Sequence, residues 1–375
     1  NYKPAEERQY LFDHVWRQVA DKFYDPKMQG VDWEYYRKVY EKFLPYINNN
    51  FDFAEMLSEM LGELNASHTG CRYYASGASL STAALGAFFD PNYEGDGLKI
   101  QEVIKRGPFA VKKNEVTAGC IIEKIDGEAI KAGKDYNALL DGKAGKNVRL
   151  TIKNTKGKTF DLTIKAISQG YQQELLYKRW VDRNRAIVDS VSKGRIAYVH
   201  VKAMNSESFR TVYSELLSDK NRNKDAVIVD ERHNGGGWLH DDLCTLLNGK
   251  QYQEFVPHGK VVGKDPFNKW TKPSCVLICE DDYSNGHGFP WVYKELGIGK
   301  LIGTPVAGTM TAVWWETLMD RSLVFGIPQV GCRDMRGTFG ENTTLYPHVE
   351  VYNSPEDYIT GHDTQLIRAV EEMMK

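Results

Sequence analysis

The amino-acid sequence predicts a multi-domain α/β protein whose three segments differ in periodicity. Apolar residues recur at helical spacing in residues 8–64, short alternating strands follow, and residues 194–375 alternate strands with helices. A chain of 375 residues is long enough for two or three domains. We therefore place the predicted domains at 1–75, 76–170 and 171–375.

The composition is that of a folded globular protein without a charge bias. Apolar residues make up 42% and charged residues 26% of the chain, and this composition excludes a chain that is disordered along its whole length. Forty-eight Lys+Arg against 50 Asp+Glu give a net charge of -2, so no basic field attracts nucleic acid. The apolar runs are well short of the ~18 residues that span a bilayer, so we expect no membrane insertion.

The six cysteines are scattered along the chain, which favours free thiols over a disulfide framework. Cys275 and Cys279 share one face of a predicted strand, but a strand hardly bends, and this disfavours a bridge between them. The chain opens on Asn1-Tyr2 without an initiator Met or a signal-peptide pattern. We expect mature protein or a fragment of something longer.

The first segment, residues 1–75, is predicted to be a helical subdomain with a core rich in aromatic residues. Asp32 followed by Trp33 and Glu34 is typical of a capped helix start. Helical spacing is carried by two sets of apolar residues: Leu11, Val15, Val19 and Phe23, then Phe53, Met56, Leu57, Met60, Leu61 and Leu64.

The middle segment is predicted to be β-rich. One predicted strand ends at Asp126-Gly127 and a second begins directly after it, which predicts a tight hairpin. The pattern over 76–170 closely resembles a PDZ domain, with Leu85-Gly86-Ala87-Phe88 near the place where that family binds a peptide carboxylate. PDZ domains add a chain end as a strand to a sheet edge. The alternative is that this module is a spacer or a lid.

Buried strands alternate with helices in the third segment. Such alternation implies right-handed crossovers and a largely parallel sheet, whose active sites gather at the carboxyl ends of the strands. The predicted strands are 195–201, 226–230 and 274–279, and the helices lie near 206–218, 238–249 and 286–296. This alternation is compatible with a crotonase-like (ClpP/crotonase) α/β fold.

Two of these strand ends carry candidate chemistry. Three consecutive glycines, 235–237, follow the strand 226–230, and their bare backbone suits an oxyanion hole. The alternative is a flexible surface loop. Ser284 lies between a strand and a helix N-terminus, where amide donors could stabilise an oxyanion. The alternative is a simple N-cap. No Gly-x-Ser-x-Gly elbow is present, which excludes an α/β-hydrolase.

A serine nucleophile needs a base, and His68 follows the last predicted helix of the first segment. His287, three residues past Ser284, is a local alternative. His233 and His240 could be imagined as metal ligands, but no companion residues have the right spacing. The sequence therefore predicts no metal site and no cofactor.

In combination, the segments resemble the tail-specific (C-terminal processing) serine peptidases of the S41 type, and within them the tricorn-type catalytic half. The family's order is kept by five features: Gly-Glu-Leu-x-x-Ser-His at 62–68, the PDZ-like insert, Asp-x-Arg-x-Asn-Gly-Gly-Gly at 230–237, Ser-x-Gly-x-x-Phe-Pro at 284–290, and Glu341-Asn342.

The resemblance implies a catalytic tetrad. Ser284 would be the nucleophile and His68 the general base. Glu341 would polarise Ser67, which in turn would hold the His68 ring in position.

The resemblance also implies an oxyanion hole made by backbone N–H groups of Asn285, Gly236 and Gly237. Gly235 and Gly286 would border the substrate. Asn285 takes the place of the Asp that follows the serine in the family.

The resemblance implies a serine peptidase that hydrolyses peptides or unfolded polypeptide ends through an acyl-enzyme. Two alternatives remain at the sequence level: a catalytically inactive PDZ-type peptide-binding protein, and a crotonase-like acyl-CoA enzyme. The implied partners are peptide or unfolded-protein substrates, with a homo-oligomer suggested by the family. The expected compartment is the cytoplasm, with the periplasm as the alternative.

Overall fold

The computed structural model describes residues 3–75, 77, 81–112 and 115–375. The chain divides into two compact units, Gly77–Asn184 and a second unit that joins Asn1–Ser76 to Arg185–Lys375. The segment predicted to be a separate helical subdomain therefore belongs to the same unit as the C-terminal α/β segment. The boundary of the middle unit also lies later than the predicted residue 170.

The N-terminal part is helical, as the periodicity predicts. Asp32 caps its second helix by accepting a hydrogen bond from the Tyr35 N–H at 2.9 Å. The apolar faces share one core with Leu323, Phe325 and Ile327 from near the other end of the chain, which explains why the two parts form one unit. The elements are α1 (Pro4–Lys22), α2 (Trp33–Glu41), α3 (Asn50–Gly62) and the short strand β1 (Cys71–Tyr73).

The middle unit is an antiparallel sheet in the order β2-β3-β4-β6-β7, with β5 paired to β4. Asp126 and Gly127 form the predicted hairpin turn, with φ of 52° and 93°. The strands are β2 (Ala87–Phe89), β3 (Leu98–Val103), β4 (Ile121–Ile125), β5 (Glu128–Ala129), β6 (Asn147–Lys153) and β7 (Thr159–Lys165).

The C-terminal part alternates strands and helices. Its central strands are buried along their whole length. The elements are α4 (Gln169–Val191), β8 (Ile196–His200), α5 (Ser206–Leu216), α6 (Asp219–Arg222), β9 (Ala226–Asp230), α7 (His240–Leu247), β10 (Gln253–Phe255), β11 (Gly263–Asp265), β12 (Ser274–Ile278), α8 (Asn285–Glu295), β13 (Lys300–Gly303), β14 (Thr311–Thr317), β15 (Leu323–Gly331), β16 (Val349–Glu350), α9 (Pro355–Thr360) and α10 (Thr364–Met374).

The predicted parallel sheet is confirmed. Five strands lie in the order β16-β13-β12-β9-β8, and every neighbouring pair is parallel. A second, antiparallel sheet in the order β1-β15-β14 was not predicted. In this sheet Cys71 pairs with Phe325, so the segment just after α3 is held against the C-terminal strands.

A buried ion cluster anchors the loop that follows β9. The Arg232 guanidinium lies 2.7 Å from Asp230 Oδ2 and 2.9 Å from Asp363 Oδ2, and all three side chains are buried. Asp363 also accepts the Leu366 N–H and so caps α10. The two carboxylates raise the pKa of Arg232, while the guanidinium lowers the pKa of Asp230 against the effect of burial. The cluster joins the end of β9 to the C-terminal helix.

All six cysteines fall in the described ranges and are free. Within those ranges, no helix combines the length and apolar character needed to cross a membrane.

Replacing Asp363 with Ala should lower the free energy of unfolding by about 3–5 kcal/mol, because it leaves the buried Arg232 charge partly uncompensated and removes the α10 cap. Urea unfolding followed by far-UV circular dichroism measures the change. Asp225→Ala is the matched control, because Asp225 pairs with Arg195 at the surface, where an ion pair contributes about 0–1 kcal/mol. Equal shifts in the two variants would contradict the role given to the buried cluster.

Candidate active site

The turn that carries Ser67 and His68 lies between α3 and β1. His68 has a positive φ of 62°, a conformation that its surroundings must maintain. A Cβ on Gly326 of β15 would lie 2.2 Å from the His68 carbonyl oxygen, so only glycine permits this close approach. The Gly326 N–H donates to the Gly70 carbonyl at 3.0 Å. The pairing of β1 with β15 therefore positions the histidine.

Ser67 links His68 to Glu341 through hydrogen bonds. Its hydroxyl donates to Glu341 Oε2 at 3.0 Å, and its N–H donates to Glu341 Oε1. Because that hydroxyl proton points to the carboxylate, Ser67 Oγ accepts from His68 Nδ1, 2.7 Å away. The His68 ring is thereby held as the Nδ1–H tautomer, which leaves the Nε2 lone pair free to accept a proton.

Burial sets the electrostatics of this chain of groups. It lowers the pKa of His68 from 6.5 to about 4, so the ring is neutral at pH 7. Burial also raises the pKa of Glu341, while hydrogen bonds from Ser67 and the Met310 backbone oppose that rise. A neutral imidazole supported by a hydrogen-bonded carboxyl group is the state in which a general base can act.

Glu341 is held by the loop that follows β15. The Asn342 side chain donates to the Asn65 carbonyl at 2.7 Å, and its N–H donates to the Gly308 carbonyl at 2.9 Å. Glu341 itself is only 5% exposed. The loop thus attaches directly to the turn before Ser67.

Ser284 lies in the strained turn between β12 and α8. Its φ of 58° and ψ of -120° are unfavourable for a residue with a side chain. Its N–H donates to Thr309 Oγ1 at 2.8 Å. Ser284 occupies the N-cap position of α8, but its side chain makes no capping hydrogen bond, unlike the simple N-cap considered from the sequence. The surrounding structure must therefore maintain this strained conformation.

Ser284 and His68 line the same cavity, which has a volume of about 740 Å³. Among the hydrogen bonds of the described residues, none joins Ser284 Oγ to the His68 ring. Tyr283 fills the neighbouring space: its hydroxyl accepts the His68 N–H at 2.7 Å, and the two rings are 4.8 Å apart. Loose contacts between nucleophile and base are common before substrate binds.

Gly237 and Gly235 line this cavity, and so does Asn285 at the first position of α8. The N–H groups at the start of a helix lack intrahelical partners and can face an anion. Gly237 has a φ of 133°, and a Cβ there would lie 2.2 Å from the Met204 carbonyl oxygen, so the loop requires glycine at this position.

Gly236 and Gly286 differ from what the resemblance implied, because neither is among the residues that line the cavity. The Gly236 N–H donates to Asn234 Oδ1 at 2.9 Å, which leaves it unavailable to an oxyanion. A Cβ on Gly236 would lie 2.6 Å from the Ser284 Cβ. A Cβ on Gly286 would lie 2.6 Å from the Asn234 carbonyl oxygen. Both glycines are therefore close-packing positions behind the nucleophile.

The Asn285 side chain ties the two loops together. Its Oδ1 accepts the N–H groups of Leu239 and His240 at 2.7 and 3.1 Å, and its Nδ2 donates to His240 Nδ1 at 2.9 Å. Its amide thus serves both as acceptor and as donor, whereas an ionised Asp would offer only acceptors.

Two threonines of the site carry no signal in the sequence. Thr311 Oγ1 lies 3.1 Å from both Ser67 Oγ and His68 Nδ1, and Thr309 holds the Ser284 backbone. Both lie more than 200 positions from His68, and nothing in their local pattern marks them. Tyr283 could have been noticed as the neighbour of Ser284, but its contact with His68 depends on the fold.

The other histidines have different surroundings from His68. His287 is fully buried, neither ring nitrogen has a hydrogen-bond partner among the described residues, and burial lowers its pKa to about 4. His287 does not line the cavity, so it is not placed to act as the base. His233 lies beside Cys279 and Asp281, a grouping that sequence spacing did not predict.

The PDZ-like unit has its own groove, a cavity of about 340 Å³ beside the edge strand β2. Leu85 and Phe88 line it, as does Gln172 from the start of α4. The Gly86 N–H, predicted to lie near a peptide carboxylate, donates to Gln172 Oε1 at 3.1 Å. A side-chain oxygen of this chain therefore takes the acceptor position at that amide.

Three family models match successive parts of the chain. The Tricorn protease C1 domain matches residues 4–62, the Tricorn protease PDZ domain matches 93–169, and Peptidase family S41 matches 195–351. Part by part, the chain is therefore similar to tricorn-type S41 peptidases. The Ser67-His68 turn lies between the first two matches, while Ser284 and Glu341 lie inside the third.

The tricorn-like relatives align with nearly the whole chain. A putative tricorn-like protease C-terminal subunit of Sulfurisphaera tokodaii is 29% identical, with 99% of this chain and 44% of the relative covered. The tricorn protease of Thermoplasma acidophilum is 26% identical, with 99% and 35% covered. The chain thus spans less than half the length of these relatives. A crystal structure of tricorn protease shares the fold, with a TM-score of 0.88 at 24% identity, covering 100% of this chain and 37% of that one.

Gly236→Ala should slow acylation of Ser284 by about 100-fold, because a methyl group at that position displaces the nucleophile and a displacement near 1 Å costs this much. The measurement is the rate of labelling by a fluorophosphonate. Gly235→Ala is the matched control, because a Cβ there meets nothing within 4 Å. Equal rates in the two variants would reject the packing role of Gly236.

The rate of peptide hydrolysis should persist as the pH falls from 7 to 5 and decline only as it approaches about 4. The neutral form of His68 is the active one, and its lowered pKa extends that form to acidic pH. A pH profile of kcat/KM measures this, with circular dichroism to confirm folding. In the Glu341→Gln variant the neighbouring carboxyl group no longer titrates, so the pH dependence that remains can be assigned to His68. A midpoint near 6.5 would contradict the effect of burial.

Proposed function

We propose that this chain is a serine peptidase that cleaves peptides or unfolded polypeptide ends through an acyl-enzyme on Ser284. The observation that carries the proposal is that the Glu341–Ser67–His68 hydrogen-bonded chain reaches the cavity that Ser284 also lines. The S41 and tricorn similarities support the same reaction class.

In the proposed reaction, His68 Nε2 takes the Ser284 hydroxyl proton as Oγ attacks the carbonyl carbon of the substrate. The imidazolium then gives that proton to the leaving amine as the peptide bond breaks. A water molecule repeats the sequence on the acyl-enzyme and releases the carboxylic acid. Ser67 and Glu341 orient the ring and stabilise its charged form.

The developing oxyanion would be bound by the N–H groups of Asn285 and Gly237, since the Gly236 N–H is engaged within its loop. Removing one such donor typically costs about 3 kcal/mol of transition-state stabilisation. Of the three consecutive glycines, this assignment uses only Gly237, and it adds the N–H of Asn285 at the first position of α8.

The cavity suits a polypeptide segment. Its volume of about 740 Å³ lies within the usual range for ligand sites, and aromatic side chains, Trp238, Trp291 and Trp315, form much of its wall. Arg72, stacked on Trp315, adds a positive charge, and none of the described lining residues carries a carboxylate. Such a wall accommodates apolar side chains and an acidic or carboxylate group. Assembly into a homo-oligomer stays a prediction.

Ser284→Ala should abolish both peptide hydrolysis and fluorophosphonate labelling without loss of folding. His68→Ala should lower kcat/KM by about 10²–10⁴-fold, the usual contribution of general-base catalysis. Mass spectrometry of the labelled protein should place the probe on Ser284. Ser214→Ala, an exposed serine on α5, is the control and should leave both rates unchanged.

Undiminished hydrolysis in Ser284→Ala would overturn the nucleophile assignment. A folded wild-type chain that neither hydrolyses peptides nor reacts with the probe would favour the inactive peptide-binding alternative. The contact between Gln172 and Gly86 gives that alternative no support, because it occupies an amide that the peptide carboxylate would need.

A further inference from the structure

Three side chains with different donor atoms meet beside the catalytic loops. His233 Nδ1 lies 2.9 Å from Asp281 Oδ2, and Cys279 Sγ lies 2.7 Å from Asp281 Oδ1 and 3.8 Å from His233 Nδ1. One donor atom from each residue falls within 4.8 Å of the others. None of these side chains has a part in the peptidase chemistry described above.

The backbone places the three residues at adjacent strand ends. Cys279 follows β12 directly, and His233 follows β9, its parallel neighbour in the sheet. His233 has a positive φ of 68°, and its N–H donates to Cys279 Sγ at 3.2 Å. A non-glycine residue in this conformation costs free energy, so the surrounding structure must maintain it. The cluster is thus formed by the same sheet edge that forms the active site.

The donor set is one that zinc prefers. A thiolate, an imidazole nitrogen and a carboxylate oxygen are its ordinary ligands, at about 2.0–2.3 Å. In a tetrahedron with those bond lengths the donors would be about 3.4–3.6 Å apart. With Asp281 Oδ1 as the carboxylate donor, the observed separations are 2.7 Å to Cys279 Sγ and 3.1 Å to His233 Nδ1, and the sulfur and nitrogen are 3.8 Å apart, so the Sγ–Oδ1 pair must open most.

The cluster is accessible to an ion from solvent. The side chains of His233 and Asp281 are 52% and 62% exposed, whereas Cys279 is buried beneath them. Asp281 can therefore swing outward to widen the site. Three protein ligands would leave a fourth position for water. A second carboxyl group, that of Asp282, lies 3.5 Å from the sulfur.

We propose that His233, Cys279 and Asp281 bind one divalent transition-metal ion of the zinc class. The nitrogen, sulfur and oxygen atoms supply three ligands and water the fourth. Binding replaces the S–H bond of Cys279 with a sulfur–metal bond and releases that proton to solvent, with no change of oxidation state. The ion would connect two loops. One follows β9 and leads from His233 into the glycines 235–237. The other follows β12 and carries Ser284, three residues past Asp281.

The test uses Co²⁺ as a spectroscopic probe of the reduced, metal-free Ser284→Ala chain. This background keeps the result independent of the proposed peptidase activity. We expect one equivalent of Co²⁺ to bind, with a thiolate-to-cobalt charge-transfer band in the near ultraviolet. Zn²⁺ at one equivalent should remove the band. Cys279→Ser should abolish it, and Asp281→Asn and His233→Gln should each weaken binding at least tenfold.

Cys332→Ser and His258→Gln are the matched controls, because both residues lie outside the cluster, and both variants should keep the band and the affinity. Should the buried Cys279 variant fail to fold, the exposed positions His233 and Asp281 decide the question. Absence of a charge-transfer band in the parent chain, or an unchanged band in the cluster variants, would overturn the proposal. The three side chains would then form only a structural hydrogen-bonded cluster.

Discussion

The hydrogen bonds between Ser67 and Glu341 are the contact on which the site depends, because they join residues 274 positions apart at the point where the base is held. The Glu341 side chain accepts the hydrogen bond of the Ser67 hydroxyl, and this direction determines which ring nitrogen of His68 carries hydrogen. Without the contact the ring could adopt the other tautomer or rotate. The antiparallel sheet that brings β1 to β15 therefore has a chemical consequence as well as a structural one.

Ser284 and His68 share a strained backbone conformation. His68 and Ser284 both have positive φ, and each is held by neighbours that no larger residue could replace: Gly326 behind the histidine and Gly236 behind the serine. Such strain persists only where the surrounding structure over-determines it. Here the determinants are close backbone packing and the hydrogen bond from the Ser284 N–H to Thr309. The backbone of both residues is thus held in place by its surroundings.

Three groups of residues lie close together at the carboxyl edge of the parallel sheet. The Arg232 cluster anchors the loop after β9 to α10, the glycines behind it shape the cavity, and the His233–Cys279–Asp281 group spans the two loops. Parallel strands direct their carboxyl ends to one edge, so loops that are distant in sequence become neighbours there.

Periodicity and turn chemistry are local properties, so the sequence predicts the helices of the first segment, the hairpin at Asp126-Gly127 and the parallel sheet, as well as the order of the family's motifs. The order of the motifs also predicts Ser284, His68, Ser67 and Glu341 as the site residues. Three features were visible only in the folded chain: the N-terminal helices share a unit with the C-terminal segment, the Gly236 N–H is bonded within its loop, and Thr311 contacts the His68 ring. These features depend on contacts between segments that are distant in sequence. Such contacts do not alter the periodicity of either segment, so the sequence pattern does not predict them.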